Sequence, residues 1–161
     1  MDEVEIRHTR YGEPVARTLV DAALADLVRR YGGSGDDNPI ADGEFDPPDG
    51  GFLVAWLGGE PVACGGWRTR TITAVSGTPE RVAEIKRMFA VPAVRGSGVA
   101  AALLRAIEES AREAGRHRIV LETGGRNPEA ITFYAKQGYR RITNYGYYRE
   151  YPDCVSFGLD L

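Results

Sequence analysis

The sequence has few of the residues that build metal centres and disulfide frameworks. Its 161 residues include only two cysteines, Cys64 and Cys154, and two histidines, His8 and His117. The cysteines lie far apart in strand-like surroundings, so we expect buried free thiols rather than a disulfide or a shared metal. Neither histidine has ligand-type neighbours in the sequence, and a metal site is therefore not expected.

Long apolar runs are also missing. No stretch approaches the ~20 apolar residues of a transmembrane helix. The acidic start, with Asp2, Glu3 and Glu5, is unlike the basic, then apolar start of a signal peptide. We therefore expect a cytoplasmic protein with no membrane contact. A content of 43% apolar and 27% charged residues is typical of globular proteins, and the length suits one domain over residues 1–161.

The small net charge of −3 hides an uneven distribution. Residues 1–80 carry seven Lys and Arg against 14 Asp and Glu, whereas residues 81–161 carry 13 against nine. Such asymmetry suits an anionic ligand beside the basic half and a cationic one beside the acidic half, although solvated surface charge explains many of these residues equally well. It argues against general nucleic-acid binding, which needs a basic face and a high pI.

The hydropathy pattern predicts the order strand, helix, loop, two strands, strand, helix, strand, helix, strand, strand. Gly58 and Gly59 indicate a hairpin, Gly115 a helix end and Asn127 a helix start. The loop at residues 32–51 is too polar for the core, and a connection of that length is usually functional or disordered. Its acidic residues would attract a cationic amine or would simply be solvated. They are Asp36, Asp37, Asp42, Glu44 and Asp46.

The most informative segment is the glycine loop, residues 95–101, with the sequence RGSGVAA. It follows a strand-like apolar run at residues 85–91 and opens an amphipathic helix, in which Glu108 is predicted on the solvent face. A glycine-rich turn at a helix start presents unpaired N–H groups at the positive end of the helix dipole, where phosphate binds. Gly96 and Gly98 permit close approach of a ligand, and Arg95 adds a positive charge.

Three interpretations of this loop compete. A nucleoside-triphosphate loop is excluded because no Lys follows the glycines. Gly96, Gly98 and Ala101 fit the dinucleotide pattern G-x-G-x-x-A, with Glu122 near the position of a ribose-binding acid, which would indicate an oxidoreductase. Residues 92–95 nevertheless separate the strand from the glycines, and no second nucleotide-binding half follows. A helix entry without any ligand is the third interpretation.

Further elements carry a family resemblance. The pattern R-x-x-G-x-A at Arg95 is followed by Leu121-Glu122 closing a strand, Asn127 opening a helix, and Tyr134-x-x-x-Gly138-Tyr139. Over residues 80–145 the sequence resembles the GCN5-related N-acetyltransferases (GNAT superfamily), as a small bacterial member. The resemblance implies an α/β fold (α+β by some schemes) with a mixed, mostly antiparallel, splayed sheet flanked by helices. It also implies acetyl transfer from acetyl-CoA to a primary amine by direct attack in a ternary complex, without a metal.

The same resemblance places the cofactor. The pantetheine arm would lie along the backbone of Met88, Phe89 and Ala90, where the N–H of Ala90 would polarise the thioester, and the pyrophosphate would rest on the glycine loop. Core packing is the alternative for Met88 and Phe89, and helix capping is the alternative for Asn127. The expected cofactor-binding residues are Met88, Phe89, Ala90, Arg95, Gly96, Ser97, Gly98, Val99, Ala100, Ala101 and Asn127.

Tyr134 is the candidate general acid for the departing thiolate, with an aromatic core position as the alternative. The candidate bases are Glu84 and Glu122. Glu122 ends a strand, where ligands bind in α/β sheets, whereas alternation would put Glu84 on the same side of its strand as Lys86, Met88 and Ala90. Either Glu could instead be the structural partner of an Arg, such as Arg87 or Arg126, and a base is unnecessary if the amine arrives neutral.

The acceptor stays open among small amines, antibiotics, amino acids, protein termini and aminoacyl-tRNA. An aromatic segment before the last strand would form an acceptor wall or the contact surface of a homodimer. It contains Tyr145, Tyr147, Tyr148 and Tyr151. Cys64 is a poorly supported acyl-carrying nucleophile, because no His lies near it in the sequence. A non-catalytic acyl-CoA sensor is the alternative to an enzyme.

Overall fold

The computed structural model describes residues 3–41, 43–73 and 77–161; Asp2 and Asp42, named above, lie outside these ranges. The described residues form seven strands and three α-helices in the predicted order. The strands are β1 Val4–His8, β2 Gly50–Leu57, β3 Glu60–Ile72, β4 Glu80–Ala90, β5 Arg118–Gly124, β6 Arg140–Ile142 and β7 Cys154–Asp160. The helices are α1 Pro14–Tyr31, α2 Val99–Glu113 and α3 Pro128–Lys136, and a 3-10 turn spans Pro92–Val94.

The strands form one sheet in the order β1-β2-β3-β4-β5-β7-β6. Neighbouring strands are antiparallel, except that β4 and β5 are parallel and pair only through Ala83–Ile119 and Glu84–Val120. Beyond these two pairs β4 and β5 separate. The mixed, mostly antiparallel, splayed sheet is therefore confirmed. It is not the doubly wound parallel sheet of a dinucleotide-binding oxidoreductase.

Helices cover both faces of the sheet. Leu103 and Ile107 of α2 pack on one face, in a core shared with Tyr134 of α3, while Leu19 and Val20 of α1 pack on the other. Burial of each such aliphatic side chain contributes about 1.5–3 kcal/mol. None of the described helices has the length and apolar content that a bilayer crossing requires.

Two positions predicted to lie outside the core are buried. Glu108 on α2 is 4% exposed, because it accepts a 2.7 Å hydrogen bond from the hydroxyl of Tyr139 and pairs with Arg105 at 2.6 Å. Phe45 in the long loop is 3% exposed and contacts the rings of Tyr11 and Phe52. Both predictions failed because a tertiary partner that is distant in sequence, Tyr139 for Glu108 and Tyr11 for Phe45, helps to bury each side chain.

Candidate functional site

The separating strands β4 and β5 border a cleft of about 450 Å³. Its walls are residues 85–89 of β4, residues 121–124 of β5, the end of α1 with the loop that follows it, and the start of α3. The cleft brings together several predicted site residues, which are Met88, Phe89, Glu122, Asn127 and Tyr134. Within the described residues, Glu84, Ala90 and the glycine loop are not part of this lining.

A bulge in β4 shapes one wall of the cleft. The register shifts between Cys64 and Gly66, so that Arg87 and Met88 both lie opposite Gly65. Arg87 has φ +62°, and no other non-glycine residue in the described ranges has a positive φ. A left-handed backbone at a non-glycine residue costs about 1–3 kcal/mol and persists where the surroundings enforce it, often at functional sites.

The bulge overturns the predicted alternation along β4. Ile85, Met88 and Ala90 all pack against the core on the α2 face of the sheet. Glu84 and Lys86 point to the other face, where their partners lie in the β3 strand and in the loop after α1. Glu84 therefore does not share a side with Met88 and Ala90, because the extra residue reverses the alternation beyond it.

The glycine loop leaves the start of α2 with free N–H groups. Gly98 is the N-cap with φ +93° and provides no side-chain cap. The first helical bond is donated by Ala102 to the carbonyl of Gly98, at 3.0 Å. Within the described chain the N–H groups of Val99, Ala100 and Ala101 therefore have no partner, and with the helix dipole they favour an anion.

Arg95 lies beside this free helix start. Its Nε donates a 3.0 Å hydrogen bond to the carbonyl of Ala90, and its guanidinium is 5.6 Å from the centre of the Phe89 ring. The Ser97 hydroxyl donates to the carbonyl of Val94. These contacts join the glycine loop to the end of β4 and keep a positive charge at that end of the sheet.

Tyr134 is a wall residue of the cleft. Its ring packs against Phe133, Tyr139 and Phe157, while its hydroxyl has no hydrogen-bond partner among the described residues. Burial raises the pKa of Tyr134, so the phenol carries its proton at neutral pH. The packed ring agrees with the core alternative, and the free hydroxyl meets the requirement of the general-acid alternative.

Glu122 lies on the facing strand of the same cleft. Its carboxylate accepts a 3.0 Å hydrogen bond from the N–H of Tyr148 and lies 3.7 Å from Sγ of Cys154. Burial raises the pKa of Glu122 above its ordinary value, and the charge of Glu84 adds to this effect, although the Tyr148 N–H and Lys86 oppose it. A carboxylate with a raised pKa is a stronger base than an exposed one.

Glu84 is 2% exposed, and both of its carboxylate oxygens accept hydrogen bonds in the protein interior. One of its oxygens accepts a 3.0 Å bond from Nε of Arg68, and the other accepts a 2.6 Å bond from the hydroxyl of Tyr145. Arg68 also pairs with Glu44 at 2.9 Å. Glu84 thus fits the alternative of a structural partner, although its partner is Arg68 and not Arg87 or Arg126.

Asn127 fits its capping alternative. Its Oδ1 accepts a 3.3 Å hydrogen bond from the N–H of Ala130 at the start of α3. Its amide nitrogen has no partner among the described residues, and the residue lines the cleft. Capping and a cofactor contact through the amide nitrogen are therefore compatible.

The sequence did not predict a partly buried polar cluster formed by Asp36, Lys86, Arg87 and Tyr148, which we call the Asp36 cluster. Lys86 pairs with Asp36 at 2.6 Å, and Arg87 and the Tyr148 hydroxyl also bind this carboxylate. Burial opposes its ionisation, but the charge of Lys86 and these hydrogen bonds outweigh burial and hold the pKa of Asp36 well below its ordinary range. The signal available was a Lys-Arg pair inside the otherwise apolar run at residues 85–91.

The acidic residues of the loop at residues 32–51 therefore do not form a single solvent-exposed group that could attract an amine. Asp36 already binds Lys86 and Arg87, and Glu44 already binds Arg68. The tyrosines of the predicted aromatic segment have different roles. Tyr148 and Tyr151 line the cleft, whereas the hydroxyl of Tyr145 donates a hydrogen bond to Glu84.

The two thiols are free and buried, as predicted. Burial raises the pKa of Cys64 to about 12 and that of Cys154 to about 11, so neither is a thiolate at neutral pH. Within the described ranges, no group of three or more His, Cys, Asp and Glu residues is arranged to hold a metal ion.

Comparisons with known proteins agree with this architecture. The chain is 37% identical over 113 residues to the IAA acetyltransferase of Azospirillum brasilense, a match that spans 70% of this chain and 68% of that protein. It is 32% identical over 144 residues to the uncharacterised N-acetyltransferase YjgM of Escherichia coli. That match spans 80% of this chain and 83% of YjgM.

Solved structures share the fold. A provisionally assigned acyl-CoA N-acyltransferase from Klebsiella pneumoniae has a TM-score of 0.76 and 26% identity, with 98% of this chain and 97% of that one covered. A GNAT acetyltransferase from Elizabethkingia anophelis with acetyl-CoA bound has a TM-score of 0.65 over 100% of both chains, at 18% identity. Residues 17–139 match the sequence model of the acetyltransferase (GNAT) family. The chain therefore belongs to the GNAT family and is an N-acetyltransferase.

Proposed function

We propose that the protein transfers the acetyl group of acetyl-CoA to a primary amine, which attacks the thioester directly while both substrates are bound. The cleft between β4 and β5 carries this proposal, because it brings the unpartnered hydroxyl of Tyr134 and the raised-pKa carboxylate of Glu122 into one cavity. The free N–H groups of α2 follow β4 at the same end of the sheet and supply an anion site.

The cofactor would occupy the residues expected from the sequence. The pyrophosphate binds the N–H groups at the start of α2, with the charge of Arg95 beside it. The pantetheine arm runs along Met88, Phe89 and Ala90, and the amide nitrogen of Asn127 contacts it from α3. The side chains of Met88 and Phe89 remain in core packing, since only their backbone is recruited.

The proposed reaction balances without a covalent enzyme intermediate. The lone pair of a neutral amine forms the new C–N bond, and the C–S bond of the thioester breaks. Tyr134 donates its proton to the departing thiolate, and the proton lost from the amine nitrogen passes to Glu122 and returns through water to Tyr134. An amine that arrives charged first gives its extra proton to Glu122, which passes it to solvent water before the attack and is again a carboxylate.

The thiols support direct attack rather than a ping-pong mechanism. An acyl-enzyme route needs a thiolate nucleophile at neutral pH, and both cysteines have raised pKa values of about 12 and about 11. The Glu84 carboxylate is held by Arg68 and Tyr145, so the proposal assigns the role of base to Glu122 alone.

Thiol release with acetyl-CoA and a panel of amines tests this function. We expect release that depends on the amine, with intersecting double-reciprocal plots and an unmodified protein mass after incubation with acetyl-CoA alone. Parallel plots with an acetylated cysteine would overturn direct attack. Tight binding of acetyl-CoA without transfer to any amine would favour an acyl-CoA sensor. The relative from Azospirillum is named an IAA acetyltransferase, so IAA is assayed separately, beside the amines.

A further inference from the structure

The Asp36 cluster places two cations on one side of β4 in a way that regular strand geometry does not allow. Lys86 and Arg87 are consecutive residues, and consecutive side chains of a strand point to opposite faces. Here both reach Oδ2 of Asp36, because the bulge and the left-handed backbone of Arg87 turn its side chain to the same face. Strain of this kind, at the wall of an active cleft, favours a functional role.

The charges of the cluster do not balance. The side chains of Lys86 and Arg87 are 12% and 7% exposed, and the single carboxylate between them is 7% exposed. Within the described residues, two partly buried cations thus form ion pairs with one carboxylate, although the charge of Lys86 also acts on Glu122. Since a partly buried charge that lacks a direct partner is costly, the arrangement is suited to a second anion that binds the pair directly, which Glu122 does not do among the described contacts.

Hydrogen-bond donors are also left for that anion. Arg87 donates from Nε to the Tyr11 hydroxyl at 3.4 Å and from Nη1 to Asp36, but its Nη2 has no partner within the described residues. Nζ of Lys86 has three protons and, in the described part of the chain, a single hydrogen-bond partner, Asp36. Lys86 and Arg87 both line the cleft that holds Glu122 and Tyr134.

Under the proposed function, acetyl-CoA is not the anion that Lys86 and Arg87 bind. Its pyrophosphate has the N–H groups of α2 and the charge of Arg95, which lies beyond the end of β4. The remaining ligand is the acceptor. The cleft lining also includes three exposed charged residues, the carboxylates Asp37 and Asp153 and the cation Arg126. Their net negative charge disfavours a polyanion and tolerates a molecule that also bears an amine.

Building on the proposed function, we infer that the acceptor is an amine that also carries a single carboxylate, as an amino acid does. Lys86 and Arg87 bind the carboxylate, and the amine points toward Glu122. Asp36 limits the positive charge of the pair, so that one carboxylate and not a phosphate matches it.

Matched acceptor pairs test this inference. The probes are the common L-amino acids, their carboxamides, and simple alkylamines, compared at equal concentrations of neutral amine because amidation lowers the amine pKa. We expect kcat/KM for the best amino acid to exceed that for its carboxamide at least ~tenfold, which is the usual effect of losing a charge-assisted hydrogen bond. This ratio, acid over amide, is the selectivity that the variants should change.

Two variants should move the selectivity in opposite directions. Lys86→Gln should lower it at least ~fivefold, mainly through KM of the amino acid, because one cation is lost. Asp36→Asn should raise it, because the competing carboxylate becomes neutral. Arg112→Gln, on the solvent face of α2 where Arg112 pairs with Glu109, is the matched control and should leave the selectivity unchanged. Thermal unfolding reports the stability of each variant separately.

The outcomes separate this inference from the proposed function. Equal rates for amino acids and their carboxamides would overturn the inference and leave amine acetylation intact. A shift of Lys86→Gln and Asp36→Asn in the same direction would overturn it as well, since a purely structural cluster responds to any loss of charge alike. Failure to acetylate any amine, with acetyl-CoA bound, would contradict the proposed function itself.

Discussion

The backbone N–H of Tyr148 donates a 3.0 Å hydrogen bond to Oε2 of Glu122. The hydroxyl of the same tyrosine donates to Asp36 and accepts from the N–H of Asp37 at 2.8 Å. One residue thus connects the candidate base on β5 with the loop that follows α1. Because a backbone group makes the contact to Glu122, the position of the carboxylate depends on the backbone path around Tyr148. Substitutions of Glu122 and of residues near Tyr148 can test this dependence.

Removal of the Glu122 charge should change the pH dependence of the reaction. In the wild type, kcat/KM should fall as pH drops through the raised pKa of Glu122, because only the carboxylate accepts a proton. Glu122→Gln should lose this limb and most of the activity toward charged amines. A profile that keeps the same limb in the variant would exclude Glu122 as the titrating group.

The same substitution should not destabilise the protein. A raised pKa in the folded state means that folding favours the protonated form, so the contribution to stability is present below the unfolded-state pKa and is lost as pH rises through the folded one. Above that range Glu122→Gln should be at least as stable as the wild type. Thermal unfolding at acid and neutral pH checks this sign.

Gly146→Ala should displace the Glu122 carboxylate without changing any charge. A Cβ at Gly146 would lie against both oxygens of Glu122, which is the far end of a flexible side chain and can shift. We expect turnover to fall several-fold with little loss of stability, since misplacement of a catalytic group is costly. Gly125→Ala is the matched control, because its Cβ meets only Asp153, at an ordinary 3.7 Å. Equal turnover in both variants would contradict the role of Glu122.

Tyr134→Phe should lower turnover at least ~tenfold with little change in acetyl-CoA affinity, because general-acid catalysis typically contributes ~10²–10⁴-fold. Stability should not fall, since the hydroxyl has no partner within the described residues. Tyr139→Phe is the control: it removes a 2.7 Å bond to the buried Glu108 and should cost about 1.5–3 kcal/mol of stability with turnover preserved. Unchanged turnover in Tyr134→Phe would leave this tyrosine with a packing role.

The glycine loop offers a comparison at equal backbone strain. Gly98 and Gly138 both have φ +93°, and a Cβ at either would meet no atom within 4 Å. Alanine at each position should therefore cost a similar ~1–2 kcal/mol of stability. Only Gly98→Ala places a methyl group beside the N–H groups of α2, so only it should weaken acetyl-CoA binding, at least ~tenfold by calorimetry. Equal affinities would refute the assignment of the loop.

The sequence predicted the elements whose signals are local. The order of strands and helices follows from periodicity, Gly115 ends α2 with φ +85°, and Asn127 caps α3. The sequence could not predict the bulge at Arg87, because the pattern of alternating side chains along a strand does not reveal where an extra residue is inserted. The faces of Glu84 and Met88, and with them the Asp36 cluster, depend on that single insertion. The burial of Glu108 and Phe45 was not predicted for a related reason, since each contacts a tyrosine that is more than 30 residues away in the chain, Tyr139 and Tyr11 respectively.

The two candidate bases can be separated by stability as well as by rate. Arg68 is fully buried and shares Glu84 with Tyr145, so Glu84→Gln leaves a buried cation with Glu44 as its remaining carboxylate partner. Breaking such a pair typically costs about 3–5 kcal/mol, which urea unfolding would measure. At a pH well above the pKa of Glu122, turnover per folded molecule should be unchanged, because Glu84 is not part of the cleft lining and acts on Glu122 only through its charge. Glu109→Gln, at an exposed pair with Arg112, should change neither quantity. A stable Glu84→Gln enzyme with low turnover would instead make Glu84 the base, and then Glu122→Gln should retain the wild-type pH profile.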